Sequence, residues 1–302
     1  MKKLLLSLCM LAFVAITSNV FGQSTDSGIT PFVGSTHTYS VTANASATFA
    51  WTITTDVAGS SAVASTIAEV TAGAGTEEVS ITWHNPAAGT TYYVHVTETL
   101  SGCSNHKAIA VSPVNGFELE IVNVDSSNGD LAQDAAQCAP AVVVDSYAGS
   151  GDGTLTDAQN FVYDYGTVDL YYKITASGIN TTNTGWSPQF TIATTNTTGA
   201  TVTATWGTTS AGTGGSGALT TDGVANDIDV ASGNASIWVK VTIDNGTAME
   251  GLTAQDITVT LLDAANTSED ENGNDVTDVN NGNRKQVVSA RPNSGVIVTT
   301  EP

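Results

Sequence analysis

The chain is poor in positive charge. Eight Lys and Arg stand against 29 Asp and Glu in 302 residues, a formal net charge of −21. That field repels nucleic acid and anionic lipid, so neither is an expected partner. Charged residues of both signs make up only 12% of the chain, which leaves its polar surface to Thr, Ser, Asn and Gly. Beyond the first residues no apolar run is long enough to cross a bilayer as a helix. The chain also lacks Gly-x-Ser-x-Gly, a Walker loop and His-Glu-x-x-His. No recognisable pairing of nucleophile and base, phosphate cradle or zinc helix is offered, and the expectation is a protein that is not an enzyme.

What is present begins with Met1-Lys2-Lys3, an apolar run from Leu4 to Ile16, and Val20-Phe21-Gly22. A basic start, a short apolar core and small residues before a cut read as a secretory signal peptide over residues 1–22, cleaved before Gln23. Removing Lys2 and Lys3 leaves six basic residues against 29 acidic ones. The mature chain is expected to be exported, extracellular or at the cell surface with the periplasm open, and not membrane-inserted. Cys103 and Cys138 remain after cleavage. An even count in an exported protein predicts a disulfide, closing about 35 residues and contributing roughly 3–4 kcal/mol in the chain-entropy view.

Most of the chain alternates with period two and shows little helical pattern. Val79, Ile81 and Trp83 share one face, and Tyr92, Val94 and Val96 share another, with a Pro- and Gly-bearing stretch between them. This predicts an antiparallel hairpin, with Trp83 and Trp51 filling one core. Further strands are expected through Tyr39–Val41, Phe49–Ile53, around Thr66–Val70, and Ala108–Val111. A short linker, Ser112-Pro113-Val114-Asn115-Gly116, divides a domain at 23–113 from one at 114–302. In the second, strands are expected at Phe117–Val124, residues 142–144, Val168–Ile174, Gln189–Ala193, Thr201–Trp206, Ile237–Ile243, Ile257–Leu262 and Gly295–Thr299. The stretch Gly207–Gly223 is expected to be loop. The fold class is all-β: an N-terminal immunoglobulin- or PKD-like β-sandwich followed by a larger antiparallel β-sandwich.

The segments Gly34–Val41, Phe49–Ile53, Val79–Trp83, Tyr92–Glu98 and Gly102-Cys103 together resemble a PKD-like domain, over about Ile29–Pro113. These are immunoglobulin-like modules of exported Bacteroidota surface proteins, and the ending Phe21-Gly22-Gln23 is similar to signal peptides of that phylum. The resemblance implies an extracellular, non-catalytic role. The second domain, through Tyr171–Ile174, Trp186-Ser187-Pro188 and Arg291-Pro292, is similar to uncharacterised surface proteins of the same phylum. Many such proteins finish with a sorting domain that ends in a basic residue. This chain ends Thr299-Thr300-Glu301-Pro302, which leaves a periplasmic location open.

Four candidate chemistries follow from the residues. The acidic loop Asp270, Asn272, Asn274, Asp275 and Asp278 places oxygens at alternate positions, the pattern a hard cation such as Ca²⁺ requires, although it fails as an EF-hand at positions 6 and 12. Asn, Asp and Gly are equally good turn formers. A second acidic group is Asp222, Asp227 and Asp229. Tyr171 and Trp238 face outward by alternation and, on neighbouring strands, would give a shallow stacking platform for glycan. The histidines His37, His84, His95 and His106 all lie in the first domain, His95 on the outward face of its strand. Finally, the leader Gln23–Ile29 or the terminal strand Val296–Thr299 could be lent to a neighbour's sheet edge. The expected role is a non-catalytic exported structural or adhesion protein, a subunit of a surface assembly or filament, with other envelope proteins or its own copies as partners. A carbohydrate-binding accessory protein and a polysaccharide hydrolase are the alternatives.

Overall fold

The computed structural model describes residues 26–265 and 267–298. The expected signal peptide, Gln23–Thr25 and Thr299 lie outside the described residues. The chain divides into two compact units, residues 26–32 with Thr36–Gly116, and Val33–Ser35 with Phe117 onward. Among the described residues no helix is long and apolar enough to cross a membrane.

Unit one is a two-sheet sandwich of six strands: β1 (Thr36–Ser40), β2 (Thr48–Thr54), β3 (Glu69–Ala72), β4 (Glu78–Thr82), β5 (Tyr92–Leu100) and β6 (Cys103–Val111). One sheet runs β1-β4-β3 and the other β2-β5-β6. The expected hairpin is therefore not a hairpin. β4 pairs only β1 and β3, whereas β5 pairs β2 and β6. Their buried faces oppose each other across the core, so the intervening chain crosses between sheets. Trp83 and Tyr92 meet there edge to face, ring centroids 5.6 Å apart. Two alternating runs look the same whether they lie side by side or face to face, because period two reports only that one face is buried. Trp83 is wholly buried and its Nε1 donates to Tyr39 Oη at 3.1 Å. Burial pushes the Tyr39 hydroxyl up to about 12. Trp51, expected beside Trp83, is only half-buried and spends its Nε1 on the carbonyl of Thr76 at 2.9 Å.

Unit two is a larger sandwich. Its seven-stranded sheet runs β16 (Gly214–Leu219), β15 (Thr201–Gly207), β18 (Ser236–Asp244), β12 (Thr167–Ser177), β7 (Glu118–Val124) and β21 (Asp278–Asn280), with β8 (Asp130–Leu131) also on β7. The facing sheet runs β17 (Ala225–Asp227), β14 (Gln189–Thr195), β19 (Gln255–Leu261), β22 (Asn283–Val288) and β9 (Ala135–Gln137). Alternation builds the core directly: Leu170, Tyr172 and Ile174 of β12 and Ile237, Val239, Val241 and Ile243 of β18 are wholly buried against Ile257 and Val259 of β19. The stretch expected as loop contains β16, whose Gly-rich backbone pairs β15 without needing side chains to announce it. The segment 295–298, expected as a final strand, joins no ladder among the described residues.

Two smaller ladders attach to this sandwich. β13 (Trp186–Ser187) pairs β20 (Glu269–Asp270), and β10 (Val143–Tyr147) pairs β11 (Phe161–Asp164) as an isolated ribbon. The ribbon's connecting loop carries one short helix, α1 (Leu155–Ala158).

Polar side chains fix the offset between the two large sheets. Tyr172 Oη donates to the carbonyl of Ile257 at 2.8 Å, and Gln286 Nε2 donates to the carbonyl of Tyr171 at 2.5 Å. Asn123 Nδ2 donates to the carbonyl of Lys285 at 2.8 Å. Burial drives the Tyr172 hydroxyl far above the usual phenol range, so it stays a donor. Tyr172→Phe is expected to destabilise the protein by about 0.5–1.5 kcal/mol, the net contribution of one neutral hydrogen bond. The measurement is a urea midpoint that falls while the slope stays constant.

Candidate functional site

The expected cation loop is organised around itself. Asp270 is buried, and its Oδ1 accepts the backbone N–H groups of Asn272 and Asn274, each at 2.9 Å. The Asn274 amide also reaches Oδ1 at 3.1 Å and Oδ2 at 2.9 Å. Asp278 lies on a different ladder, β21, opposite Glu118. Among the described residues no group of three or more His, Cys, Asp or Glu is placed to share a metal. What the fold assembles instead joins the two acidic groups read from sequence. Asp227 and Asp229 line a groove of about 810 Å³ together with Glu269, Asp270 and Glu271, and no basic side chain lines it. Ser187 Oγ donates to Asp229 at 2.9 Å and the Gly185 N–H to Glu271 at 2.8 Å. Asp222 stands apart and caps its own turn through the Val224 N–H at 3.1 Å.

The two candidate stacking rings do lie on neighbouring strands. β12 pairs β18 with Tyr171 opposite Lys240 and Lys173 opposite Trp238, so both rings share the outward face as a diagonal pair. Each ring carries a lysine: Lys173 Nζ sits 5.7 Å from the centre of Trp238 and Lys240 Nζ 6.0 Å from that of Tyr171. Lys240 also pairs with Asp169 at 2.9 Å, and Trp238 Nε1 donates to Asn128 at 2.7 Å. The result is a checkerboard of rings and ammonium groups on a flat sheet face.

Sequence reasoning missed the β10–β11 ribbon as a site. Its register sets Val144 opposite Tyr163 and Tyr147 opposite Phe161, with a bulge at Val144/Ser146. These four side chains therefore share one face, and they are 39–56% exposed. Tyr147 and Phe161 meet with their rings tilted at 49° and centroids 5.1 Å apart. Adjacent Val142 and Val143 and the loop's Leu155 add further exposed apolar surface. The available signal was three successive valines and Phe161–Tyr165 without alternation, a pattern that fits neither a half-buried strand nor a polar loop.

Two charged residues hold this ribbon rigid. In the loop, Asp157 accepts the Tyr147 hydroxyl at 2.6 Å, the Gly151 N–H at 2.7 Å, and the Ser150 N–H and hydroxyl. Thr154 caps α1 by accepting the Asp157 N–H at 3.1 Å. The Tyr147 hydroxyl, then the Ser150 and Gly151 N–H groups, hold the Asp157 carboxyl down to about 2. At the base, the Arg291 guanidinium donates to the carbonyls of Pro140 and Tyr165, one on each leg of the ribbon, and lies over the Tyr165 ring at 5.8 Å.

His95 is buried rather than outward-facing, because Thr54 and the turn at Gly59 cover its ring. Thr54 Oγ1 donates to the carbonyl of Asp56 at 2.7 Å, so it must accept from His95 Nε2 at 2.9 Å. With neutral rings, His95 Nδ1 then accepts from His106 Nε2 at 2.8 Å, an assignment made from the network. The Thr54 hydroxyl proton points away from the imidazole, so this group has no base to activate it. His37 pairs with Asp26 at 2.7 Å and His84 with Glu69 at 3.5 Å. The expected disulfide is absent: Cys103 and Cys138 are both free and exposed, one in each unit. Each opens or follows a strand of its own sheet, and an even count carries no information about separation.

No family model matches the chain, and no curated protein matches it. Among solved structures it is similar to the titin domains Z1Z2 in complex with telethonin, at 5% identity over 87% of this chain and 91% of that one, TM-score 0.30. It is similar to CfaE, the adhesive subunit of the CFA/I fimbria of enterotoxigenic Escherichia coli, at 11% identity over 89% and 82%, TM-score 0.34. It is also similar to the C-terminal domain of the Streptococcus agalactiae AgI/II polypeptide BspA, at 9% identity over 87% and 95%, TM-score 0.24. The β-sandwich assignment rests on the ladders and cores described above.

Asp270→Ala leaves three N–H donors without their acceptor and is expected to cost about 1–3 kcal/mol. Because the carboxylate is engaged by its own loop, the loss should be equal in calcium and in chelator, as read by thermal melting. For Asp157 the depressed value means that the ionised carboxylate is favoured in the folded loop. Its contribution is complete above about 4, the unfolded value, and is lost as pH falls through about 2. Protection factors of residues 148–160, which remove the intrinsic pH dependence of amide exchange, should therefore be constant from pH 7 to 5 and fall in that acid window relative to the sandwich core.

Proposed function

We propose that this chain is an exported, non-catalytic protein of the bacterial envelope, acting in adhesion or surface structure, whose β10–β11 ribbon engages a protein partner. The observation that carries the reading is the ribbon's apolar face. Contiguous exposed apolar surface on a soluble fold marks a contact site, and Val144, Tyr147, Phe161 and Tyr163 present one on an element that joins no other ladder among the described residues. Asp157 and Arg291 restrain it from loop and base, and a preorganised aromatic face loses little entropy on binding. The PKD-like resemblance of unit one and the signal-peptide pattern support a home among exported Bacteroidota surface proteins, with the periplasm as the other compartment. The polar, acidic remainder of the surface keeps such a protein soluble until the ribbon is covered.

A second reading is glycan binding across Tyr171 and Trp238, favoured by their common outward face on paired strands. The lysines already stacked on both rings would have to move aside for a sugar.

The test coats beads with the mature chain and measures their adhesion to matrix proteins and to cells, alongside binding to a glycan array. Phe161→Ser with Tyr163→Ser should reduce protein-dependent adhesion at least about tenfold, as loss of two interface aromatics does, with an unchanged circular dichroism spectrum. Glycan binding that disappears in Trp238→Ala would favour the second reading. Hydrolysis of a polysaccharide by the purified chain would overturn both.

A further inference from the structure

The charge of the β10–β11 ribbon is one-sided. Between Pro140 and Tyr165 the chain carries four aspartates, Asp145, Asp152, Asp157 and Asp164, and no Lys, Arg or His. Asp157 is spent inside the loop, and Asp152 turns its carboxylate onto the Thr154 N–H at 2.9 Å and hydroxyl at 2.7 Å. Asp145 and Asp164 are exposed. Asp145 is the extra residue of the bulge, beside Val144, and Asp164 sits between Tyr163 and Tyr165, opposite Val143. Asp145 accepts the Ser146 hydroxyl at 3.2 Å and Asp164 the Gly166 N–H at 2.8 Å. An ionised carboxylate has about four acceptor sites, so both retain capacity for a further donor.

Beside these carboxylates the rings form a file. Phe161, Tyr163 and Tyr165 are two residues apart and share a face. Tyr147 meets Phe161 from the other strand, and Tyr163 meets Tyr165 with centroids 6.4 Å apart. One end of the file already shows what it accepts. The Arg291 guanidinium lies over Tyr165 at 5.8 Å. Burial, then the charge of Glu250, push the Tyr165 hydroxyl above the usual phenol range, so a carboxylate stands near the same ring. In that arrangement the ring quadrupole and the carboxylate attract one cation together. Tyr147, Phe161 and Tyr163 are 39–46% exposed and repeat the combination with Asp145 and Asp164. Asp164 alternates to the reverse face and is reached around the edge of a ribbon two strands wide.

Charge also decides which partner fits. The described residues hold six basic side chains, and five are engaged in unit two: Lys173 on the Trp238 ring, Lys240 and Lys285 with carboxylates, Arg284 and Arg291 with carbonyls. The sixth, Lys107, lies in unit one, in an apolar cleft beside β6. A second copy would therefore bring mostly carboxylates to a ribbon that already carries four. A purely apolar partner would strip water from Asp145 and Asp164 and return no counter-charge, which is a cost without an offset. A partner that brings cations to the apolar face satisfies both the rings and the carboxylates.

We propose that the ribbon's partner is a basic segment of another protein, laid along Tyr147, Phe161 and Tyr163 with Arg or Lys side chains over the rings and paired with Asp145 and Asp164. The proposal rests on the reading of the ribbon as a contact site and supplies the chemistry of what it contacts.

Fluorescence anisotropy of short labelled peptides added to the mature chain tests it, using peptides that alternate Thr with Arg, Gln or Glu. The Arg peptide should bind at least about tenfold tighter than the Gln peptide at low salt, and added salt should narrow that gap. The Glu peptide should not bind. Phe161→Ser with Tyr163→Ser leaves the net charge unchanged and should weaken the Arg peptide at least about tenfold. Asp145→Asn with Asp164→Asn should weaken it by about three- to tenfold. Glu77→Gln with Glu78→Gln removes the same charge from exposed positions in unit one and should leave binding as it was. Equal binding of the Arg and Gln peptides, or equal losses from the two charge-removing pairs, would overturn the proposal. So would a mature chain that dimerises through the ribbon, seen as a sedimentation shift lost in the aromatic variant. Bead adhesion lost in the aromatic variant while the Arg peptide fails to bind would sink the basic partner and leave the ribbon as the contact site. Adhesion unchanged in that variant would sink the reading beneath it.

Discussion

The offset between the two large sheets is the constraint on which the rest of unit two depends. Apolar side chains hold sheets together without specifying how they slide, because burial is non-directional. The hydrogen bonds of Tyr172 to Ile257, Gln286 to Tyr171 and Asn123 to Lys285 remove that freedom, since each donor is buried and would be unsatisfied in any other offset. Two of the three lie where β22 faces β7 and β12, and the third joins β12 to β19, the strand beside β22. The ribbon enters β12 through Tyr165, and Arg291 follows β22 by three residues. The same offset therefore brings the Arg291 guanidinium to both legs of the ribbon. Packing, polar pegs and the exposed aromatic face form one chain of dependence.

Much of the fold was legible because alternation is a local signal. The inward set of β12 and β18 and the Val79, Ile81, Trp83 set of unit one follow from period two. Pairing was not legible, because a strand carries the same pattern for a neighbour beside it and for one facing it. β4 and β5 show the consequence: they share a core through Trp83 and Tyr92 while belonging to different sheets. β16 escaped for the opposite reason, since a glycine-rich edge strand pairs through its backbone and leaves no side-chain signal.

The candidate sites divide along the same line. The outward placement of Tyr171 and Trp238 could be read from alternation, and the paired strands then set them on one face. The convergence of Asp227 and Asp229 with Glu269 and Glu271 could not, because about forty residues of chain separate groups that only the folded sandwich brings to one groove. His95 was misread because alternation states which side of a sheet a residue occupies, not whether a turn later covers that side. Gly59 sits close enough to the ring that a Cβ there would stand 3.4 Å from it.

The distribution of the few cations connects stability to association. A chain with a net charge of −21 repels its own copies at long range, and screening over about 8 Å at physiological salt confines that repulsion to close approach. Five of the six basic side chains in the described residues are occupied inside unit two, on rings, carboxylates and carbonyls that fix local structure. They are unavailable to offset repulsion between molecules. What remains is apolar contact, which acts only at short range and needs no counter-charge. The exposed apolar surface includes the ribbon, the 296–298 segment and the cleft beside β6, and Lys107 lies in the last of these. An acidic protein that must meet a partner gains selectivity from this arrangement: acidic surfaces, its own copies included, are repelled, and a surface that fits the apolar ribbon closely enough to exclude water is retained.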